Sequence, residues 1–307
     1  MDRKMNKSID KTELNIVFIG TSGTYSLACL DAIREDGFRV VGVLDSIRRK
    51  ERYTRWDRWM MKHSKLAESC GSDIDVCVTD DLNGIETERF IREKECNLIC
   101  VASACQLLKE HIINIPMYGV INAHGAVLPD YRGANPPYWV FRNFEHGGGV
   151  TLHFVDTGED TGDIITVEHF NIPHGMSKKQ YDAAEVKAAV QGYKKALGIL
   201  VSGTAERSPQ GESPHPQARN VTREDFLLDY GSWEVERAYH FLRGTDGIRQ
   251  IYSGGLCSYE VLDFLKSDSV AAGKYDIRCK DGVIRVRKRF RIVRAMKNIV
   301  KGVLTAR

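Results

Sequence analysis

The sequence predicts an α/β chain: a mostly parallel sheet covered by helices, followed by a smaller, mostly β C-terminal domain. Three observations predict it. The chain opens on a strand–turn–helix–strand pattern. Short apolar runs then alternate with helix-periodic stretches as far as residue 202, and after a proline-rich gap comes strand-like alternation closed by a tight turn.

The first apolar run, Leu14-Asn-Ile-Val-Phe-Ile19, reads as a buried strand feeding the turn Gly20–Thr24. A helix from about Tyr25 to Asp36 follows, because Leu27, Leu30, Ala32 and Ile33 recur at helical spacing, and Phe38–Leu44 is the next strand. Further strands are expected at Ile74–Val78, Asn97–Ala102, Gly119–Asn122, Val150–Asp156 and Asp163–Phe170. Helices are expected at Ile85–Glu95, Gln106–Ile113 and Ser177–Ser202, the last carrying the longest periodic pattern. From Arg207 to Asn220 three prolines cluster and periodicity disappears, which marks 207–220 as a linker between a domain at 14–206 and another at 221–307. Residues 1–13 read as a flexible tail. Beyond the linker, Tyr275–Lys280 alternates strictly and Asp281-Gly282 gives a hairpin turn into Val283–Arg289.

Composition excludes several classes. Of the 307 residues 42% are apolar and 28% charged, so the chain is neither mainly disordered nor a multi-span membrane protein. No apolar run with a cleavage site follows Met1, and the eight cysteines include no CxxC pair, so buried reduced thiols in a cytoplasmic protein are expected. The net charge of +3 hides an asymmetry. Ser46–Lys65 holds eight basic residues against two acidic (net +6), and Cys279–Arg307 ten against one (net +9), which leaves −12 for the rest. Basic patches point toward phosphate, nucleic acid or a membrane surface.

Gly20 and Gly23 form only a partial dinucleotide fingerprint, and a plain βα turn is the better reading. Ile121–Trp139 is more informative. Asn122 and His124 alternate at the C-terminal end of a buried strand, so both side chains lie on one side, at the sheet edge where open α/β folds place ligands. An amide and an imidazole there offer an oxyanion donor and a proton acceptor; the blander alternative is a satisfied polar pair capping the strand. Leu128-Pro129, Gly133 and Pro136-Pro137 then imply a long irregular loop across that face. Asp156–Asp163 is rich in aspartate and glycine, but no acidic residue stands twelfth from Asp156, which excludes a calcium loop. One of its carboxylates near His124 would fix the imidazole tautomer.

Asn122-Ala-His124 with Leu128-Pro129 and Arg132-Gly133, then Gly149-Val-Thr-Leu-His153 and Asp160-Thr-Gly162, resembles the formyltransferase family that uses N10-formyltetrahydrofolate. Phe18-Ile-Gly-Thr21 is similar to the members akin to methionyl-tRNA formyltransferase, and the resemblance covers roughly Leu14 to Ser202. It implies a Rossmann-like catalytic domain, a catalytic trio of Asn122, His124 and Asp160, and no metal. Asn122 and protonated His124 would stabilise the charge that develops when an amine attacks the formyl carbon. The folate would lie against Gln106, Leu107 and Leu108 and against the loop carrying Val155, Asp156 and Gly158, with Arg132 binding the acceptor. The chain departs from the pattern at Gly125-Ala126, where the family usually has a serine, and at Val127.

Thr151-Leu-His153 and Gly133–Trp139 look more like the amino-sugar N-formyltransferases, which implies a small-molecule amine acceptor on a nucleotide. Methionyl-tRNA is the alternative, because Ser46–Lys65 sits where the tRNA enzymes insert a basic loop; Trp56 and Trp59 within it read as helix packing. A non-catalytic folate-, RNA- or membrane-binding module is a second alternative, against which the complete trio stands. Phe290–Leu304 reads as a cationic amphipathic helix suited to docking, homo-oligomer formation or membrane-surface contact.

Overall fold

The computed structural model describes residues 8–50, 54, 64–252, 257–267 and 269–290. The expected amphipathic helix at Phe290–Leu304 and most of Ser46–Lys65, with Trp56 and Trp59, lie outside the described residues. The chain divides into two compact units. One takes in Met1–Pro136, Gly147–Asn171 and Asp182–Ala218; the other takes in Pro137–His146, Ile172–Tyr181 and Arg219–Arg307.

The first unit is built on a seven-stranded sheet in the order β3-β2-β1-β4-β5-β6-β7. β1 is Ile16–Gly20, β2 Val40–Ser46, β3 Asp75–Thr79, β4 Leu98–Ala102 and β5 Val120–His124, all parallel. β6 (Gly147–Phe154) and β7 (Ile164–Asn171) run antiparallel on the far side of β5. The central strands β1 and β4 are apolar and buried throughout because both faces are covered. Ile16 and Phe18 join one buried cluster and Val17 and Ile19 the other; Leu98, Cys100 and Ala102 alternate with Ile99 and Val101 in the same way. Burying one such side chain is worth roughly 1.5–3 kcal/mol.

The helices of this unit are α1 (Thr24–Glu35), α2 (Lys65–Cys70), α3 (Ile85–Glu93) and α4 (Glu110–Ile113). α5 (Pro136–Arg142) and α6 (Lys178–Ser202) run from one unit into the other. In α6 the periodic apolar stripe is buried: Ala189, Tyr193, Ala196, Leu197 and Leu200 pack on the sheet.

Four expectations are corrected. Gln106–Ile113 is not one helix; α4 keeps only its last turn. The Gln106 side chain bonds the Asp80 carbonyl (2.6 Å) and the Leu82 amide (2.9 Å), while Asn83 Oδ1 accepts from the Lys109 amide (2.7 Å), so side chains replace helical partners. Pro136-Pro137 does not prolong an irregular loop but opens α5, where proline's missing N–H costs nothing. The tail ends earlier than expected, since the Ile9 amide donates to the Val201 carbonyl (2.8 Å) and its side chain is buried. Residues 207–218, expected as part of a linker, belong to the first unit: Ser208 pairs with Ile164, and Ala218 exchanges backbone bonds with Arg132 and Asn135.

In the second unit a three-stranded antiparallel sheet runs β8-β10-β9, with β8 Cys257–Leu265, β9 Ile277–Cys279 and β10 Gly282–Phe290. The β9–β10 hairpin turns at Lys280-Asp281, one residue earlier than the expected Asp281-Gly282, because Gly282 already pairs with Cys279. The short helices α7 (Val235–Thr245) and α8 (Ile248–Ile251) accompany it.

Candidate active site

Val120, Asn122 and His124 alternate onto one face of β5, which is why an apolar strand ends in two polar side chains directed to the same side. Register supplies a third group. In the antiparallel pair β5–β6, His153 lies opposite Asn122 and Thr151 opposite His124, and opposite residues share a face. Thr151 anchors the loop beyond His124: its hydroxyl donates to the Ala126 carbonyl (2.7 Å) and accepts from the Leu128 amide (3.0 Å). Ala126, where the family usually has serine, is itself buried.

Asp160 reaches this group from the β6–β7 loop. Its Oδ2 stands 3.3 Å from His124 Nδ1 and accepts from the Gly133 amide (3.0 Å). Its Oδ1 stands 3.5 Å from His153 Nε2 and 3.4 Å from Asn122 Nδ2. Asn122 Nδ2 is also 3.2 Å from His153 Nε2, and His153 Nδ1 is 2.8 Å from the Phe154 carbonyl. His153 Nδ1 donates to the Phe154 carbonyl, and its Nε2 faces both the Asn122 amide nitrogen and Asp160 Oδ1. His124 Nε2 lies 2.9 Å from the Tyr131 carbonyl. The structure therefore brings together the three residues expected as catalytic, and it adds His153, the Tyr131 carbonyl and the Gly133 amide.

Asp160 is held in a left-handed backbone conformation (φ 55°), which aspartate tolerates better than most residues but at a cost of about 1–3 kcal/mol. The turn beneath compensates, since Asp156 Oδ1 accepts from the Gly158 amide (3.0 Å) and from the Thr161 hydroxyl (2.6 Å). Gly162 packs against the Phe154 carbonyl so closely that any side chain there would overlap it.

Electrostatics sets the charges. Burial is the largest influence on Asp160 and opposes its charge, but hydrogen bonding to His153 and the fields of His124 and His153 outweigh it. They hold the carboxyl at about 2. Burial pulls the His124 imidazole below its ordinary value, against the upward pull of Asp160, so the ring is neutral at pH 7.

Two cavities flank the trio. One of about 230 Å³ is lined by Ile113, Val120, Phe154 and Val155, with Asn114 and Asp156 among its polar groups. Val120 is the next residue below Asn122 on the same face of β5. The second, about 500 Å³, is lined by Arg132, Glu159, Thr161, Glu212, Ser213, His215 and Gln217. Of the residues expected to contact folate, Val155 and Asp156 line the first cavity and Gly158 shapes the Asp160 turn. Gln106 faces Asp80 and Leu82, Leu107 is exposed, and Leu108 is buried in the cluster with Ile112 and Ile113. Arg132 lines the second cavity. Among the described residues no cluster of three His, Cys, Asp or Glu side chains is placed to hold a metal ion.

A buried carboxylate–imidazole pair beside an amide donor, at the C-terminal edge of a mostly parallel sheet, is an arrangement able to carry acyl-group transfer. The chain belongs to the formyl transferase family, whose sequence profile matches residues 15–197. Enzymes of this family transfer a formyl group from formyl-tetrahydrofolate. It is 28% identical over 239 residues to methionyl-tRNA formyltransferase of Ruminiclostridium cellulolyticum, which covers 76% of this chain and 73% of that protein. It is 27% identical over 296 residues to methionyl-tRNA formyltransferase of Clostridium tetani, covering 90% and 91%. In fold it is similar to an N-formyltransferase from Helicobacter canadensis solved with folinic acid and dTDP-3-aminofucose. That likeness has a TM-score of 0.62 at 18% identity and covers 90% of this chain and all of the other.

Proposed function

We propose that the chain formylates a primary amine on a nucleotide-linked amino sugar or similar small molecule, with Asn122, His124 and Asp160 as its catalytic residues. The observation that carries the chemistry is the geometry at His124: a buried imidazole with an oxygen acceptor at each ring nitrogen. Formyl-tetrahydrofolate supplies an electrophilic formyl carbon. The smaller cavity suits its pterin, because its lining combines apolar Ile113, Val120 and Val155 with the hydrogen-bonding groups of Asn114 and Asp156. A pterin there would direct the formyl group along β5 toward Asn122 and His124.

His124 takes the proton released as the amine attacks, and the resulting imidazolium is stabilised by ionised Asp160. One N–H of Asn122 turns from its present acceptors to the formyl oxygen, where charge develops. The proton held on His124 then leaves with the displaced nitrogen of the folate, which balances the transfer. His153 holds the Asn122 amide in place.

The acceptor reading rests on the larger cavity beside Asp160. Its amide, hydroxyl, imidazole and carboxylate groups match the hydroxyls of a sugar, and its size is that of a small molecule. Methionyl-tRNA is the second reading, favoured by the names of the sequence relatives and by the basic segment 46–65. The test offers N10-formyltetrahydrofolate with methionyl-tRNA and with a panel of nucleotide-linked amino sugars, separately and in competition. Formylation of tRNA alone overturns the acceptor reading. Full turnover by His124→Ala overturns the mechanism, since a general acid–base side chain typically contributes about 10²–10⁴-fold.

A further inference from the structure

Gln210 lies in the proline-rich stretch that the sequence marks as a linker, yet its side-chain amide is fully engaged. Its Oε1 accepts from Arg132 Nε (3.0 Å) and Nη2 (2.8 Å). Its Nε2 donates to the carbonyls of Asp160 (3.0 Å) and Gly162 (2.6 Å). Arg132 Nη2 also donates to the Gly211 carbonyl (3.0 Å). One amide thus joins the loop after β5 to the loop that carries Asp160. Both of its donors are spent on the turn that keeps Asp160 left-handed.

The carboxylate of Asp160 is fixed by the Gly133 amide, and Gly133 follows Arg132 directly. The side chain and the backbone of Asp160 are therefore referred to the same two residues, the side chain through Gly133 and the carbonyl through Gln210 and Arg132. A glutamine suits this position because it presents an acceptor and two donors on one rigid plane. Glutamate has no donor for the two carbonyls, and methionine of similar length has neither donor nor acceptor.

We propose that Gln210 is a positioning residue for Asp160, clipping the left-handed turn to Arg132 so that the carboxylate keeps its register on His124. This rests on the trio being the catalytic group, and the test separates the two. Gln210→Met keeps the volume and removes every polar contact; Gln210→Ala removes the side chain. For both variants, thermal unfolding, kcat and KM for each substrate are measured, together with the NMR titration of the His124 ring in the unliganded protein.

Besides Asp160, the titratable group acting on His124 is His153, and its ring remains in place. With Asp160 displaced, the His124 midpoint moves downward, in the direction that Asp160→Asn moves it. kcat falls 10-fold or more in both variants, while KM for formyl-tetrahydrofolate changes less than 3-fold. An unmoved His124 titration in a folded Gln210→Met protein overturns the proposal, whatever happens to turnover. A fall in kcat caused only by lost stability appears as a lower unfolding temperature with the titration unchanged, and that also overturns it. Should Asp160→Asn retain full activity, the reading of the trio fails, while the titration still reports whether Gln210 positions Asp160.

Discussion

His124 faces two oxygen acceptors but, when neutral, carries one ring proton. One nitrogen lone pair must therefore point at an oxygen, either Asp160 Oδ2 or the Tyr131 carbonyl. Protonation relieves that conflict and burial resists it, which is the balance a proton acceptor needs near neutral pH. Since burial wins, kcat/KM is expected to fall with an acid limb below 6.5, the ordinary imidazole value. A limb above 6.5 in a pH–rate profile would contradict this assignment. The buried His240 of the second unit offers a test of stability. Its Nδ1 accepts from the Gly175 amide (3.1 Å) and its Nε2 donates to the Glu145 carbonyl (3.1 Å), so a second ring proton would point at an N–H. Burial, aided by His146 and His174, lowers its pKa to about 4. A folded-state value below the unfolded one means stability is complete above 6.5 and lost as pH falls toward 4, by up to about 3 kcal/mol. Urea melts of His240→Gln at pH 7 and pH 4 should differ less than those of the parent by that order. An equal loss in both proteins would place the acid sensitivity elsewhere.

At the scale of elements, the strand β5 was legible in its own residues, and so was the common direction of Asn122 and His124, because a two-residue period is local information. Their partner His153 was not. Its place depends on the antiparallel register of β6, which no pattern within Gly147–Phe154 encodes, although its alternation with Thr151 does put both side chains on one face. Gln106 misled because helical spacing continues through Leu108, whereas three side-chain bonds draw that turn out of the helix. Gln210 was invisible because a segment without period carries no signal of what it crosses. The β6–β7 turn shows how tightly these elements are fitted. Alanine at Gly162 would place a methyl group against the Phe154 carbonyl, and the turn must shift to admit it. Such overpacking typically costs about 1–3 kcal/mol. Gly162→Ala is expected to lower the unfolding temperature and, by moving Asp160, to reduce kcat 10-fold or more; unchanged kcat would mean that the turn yields without moving the carboxylate.

Across the whole molecule, charge is the property that distinguishes the acceptor readings. The basic segment leaves the sheet at Ser46, the end of β2, and rejoins it at Ser64, whose hydroxyl meets Asp45 and Ser22. Both roots lie at the C-terminal edge of the parallel strands, the edge that carries Asn122 and His124, and Arg48, Arg49 and Lys50 are exposed there. Cations so placed raise the local concentration of any phosphate-bearing acceptor, so the number of phosphates engaged decides between a nucleotide and an RNA. A nucleotide diphosphate engages two, and a fourfold rise in salt from 50 to 200 mM would weaken it at most roughly 10-fold. An acceptor RNA engaging six or more would weaken about 10³-fold over the same range. Acceptor KM should therefore follow the shallow dependence, with KM for formyl-tetrahydrofolate nearly constant. Replacing Arg48, Arg49 and Lys50 with glutamine should raise acceptor KM and flatten its salt dependence without altering kcat. A steep slope for methionyl-tRNA, together with no turnover of any nucleotide-linked amino sugar, would transfer the acceptor assignment to RNA and leave the chemistry at His124 unchanged.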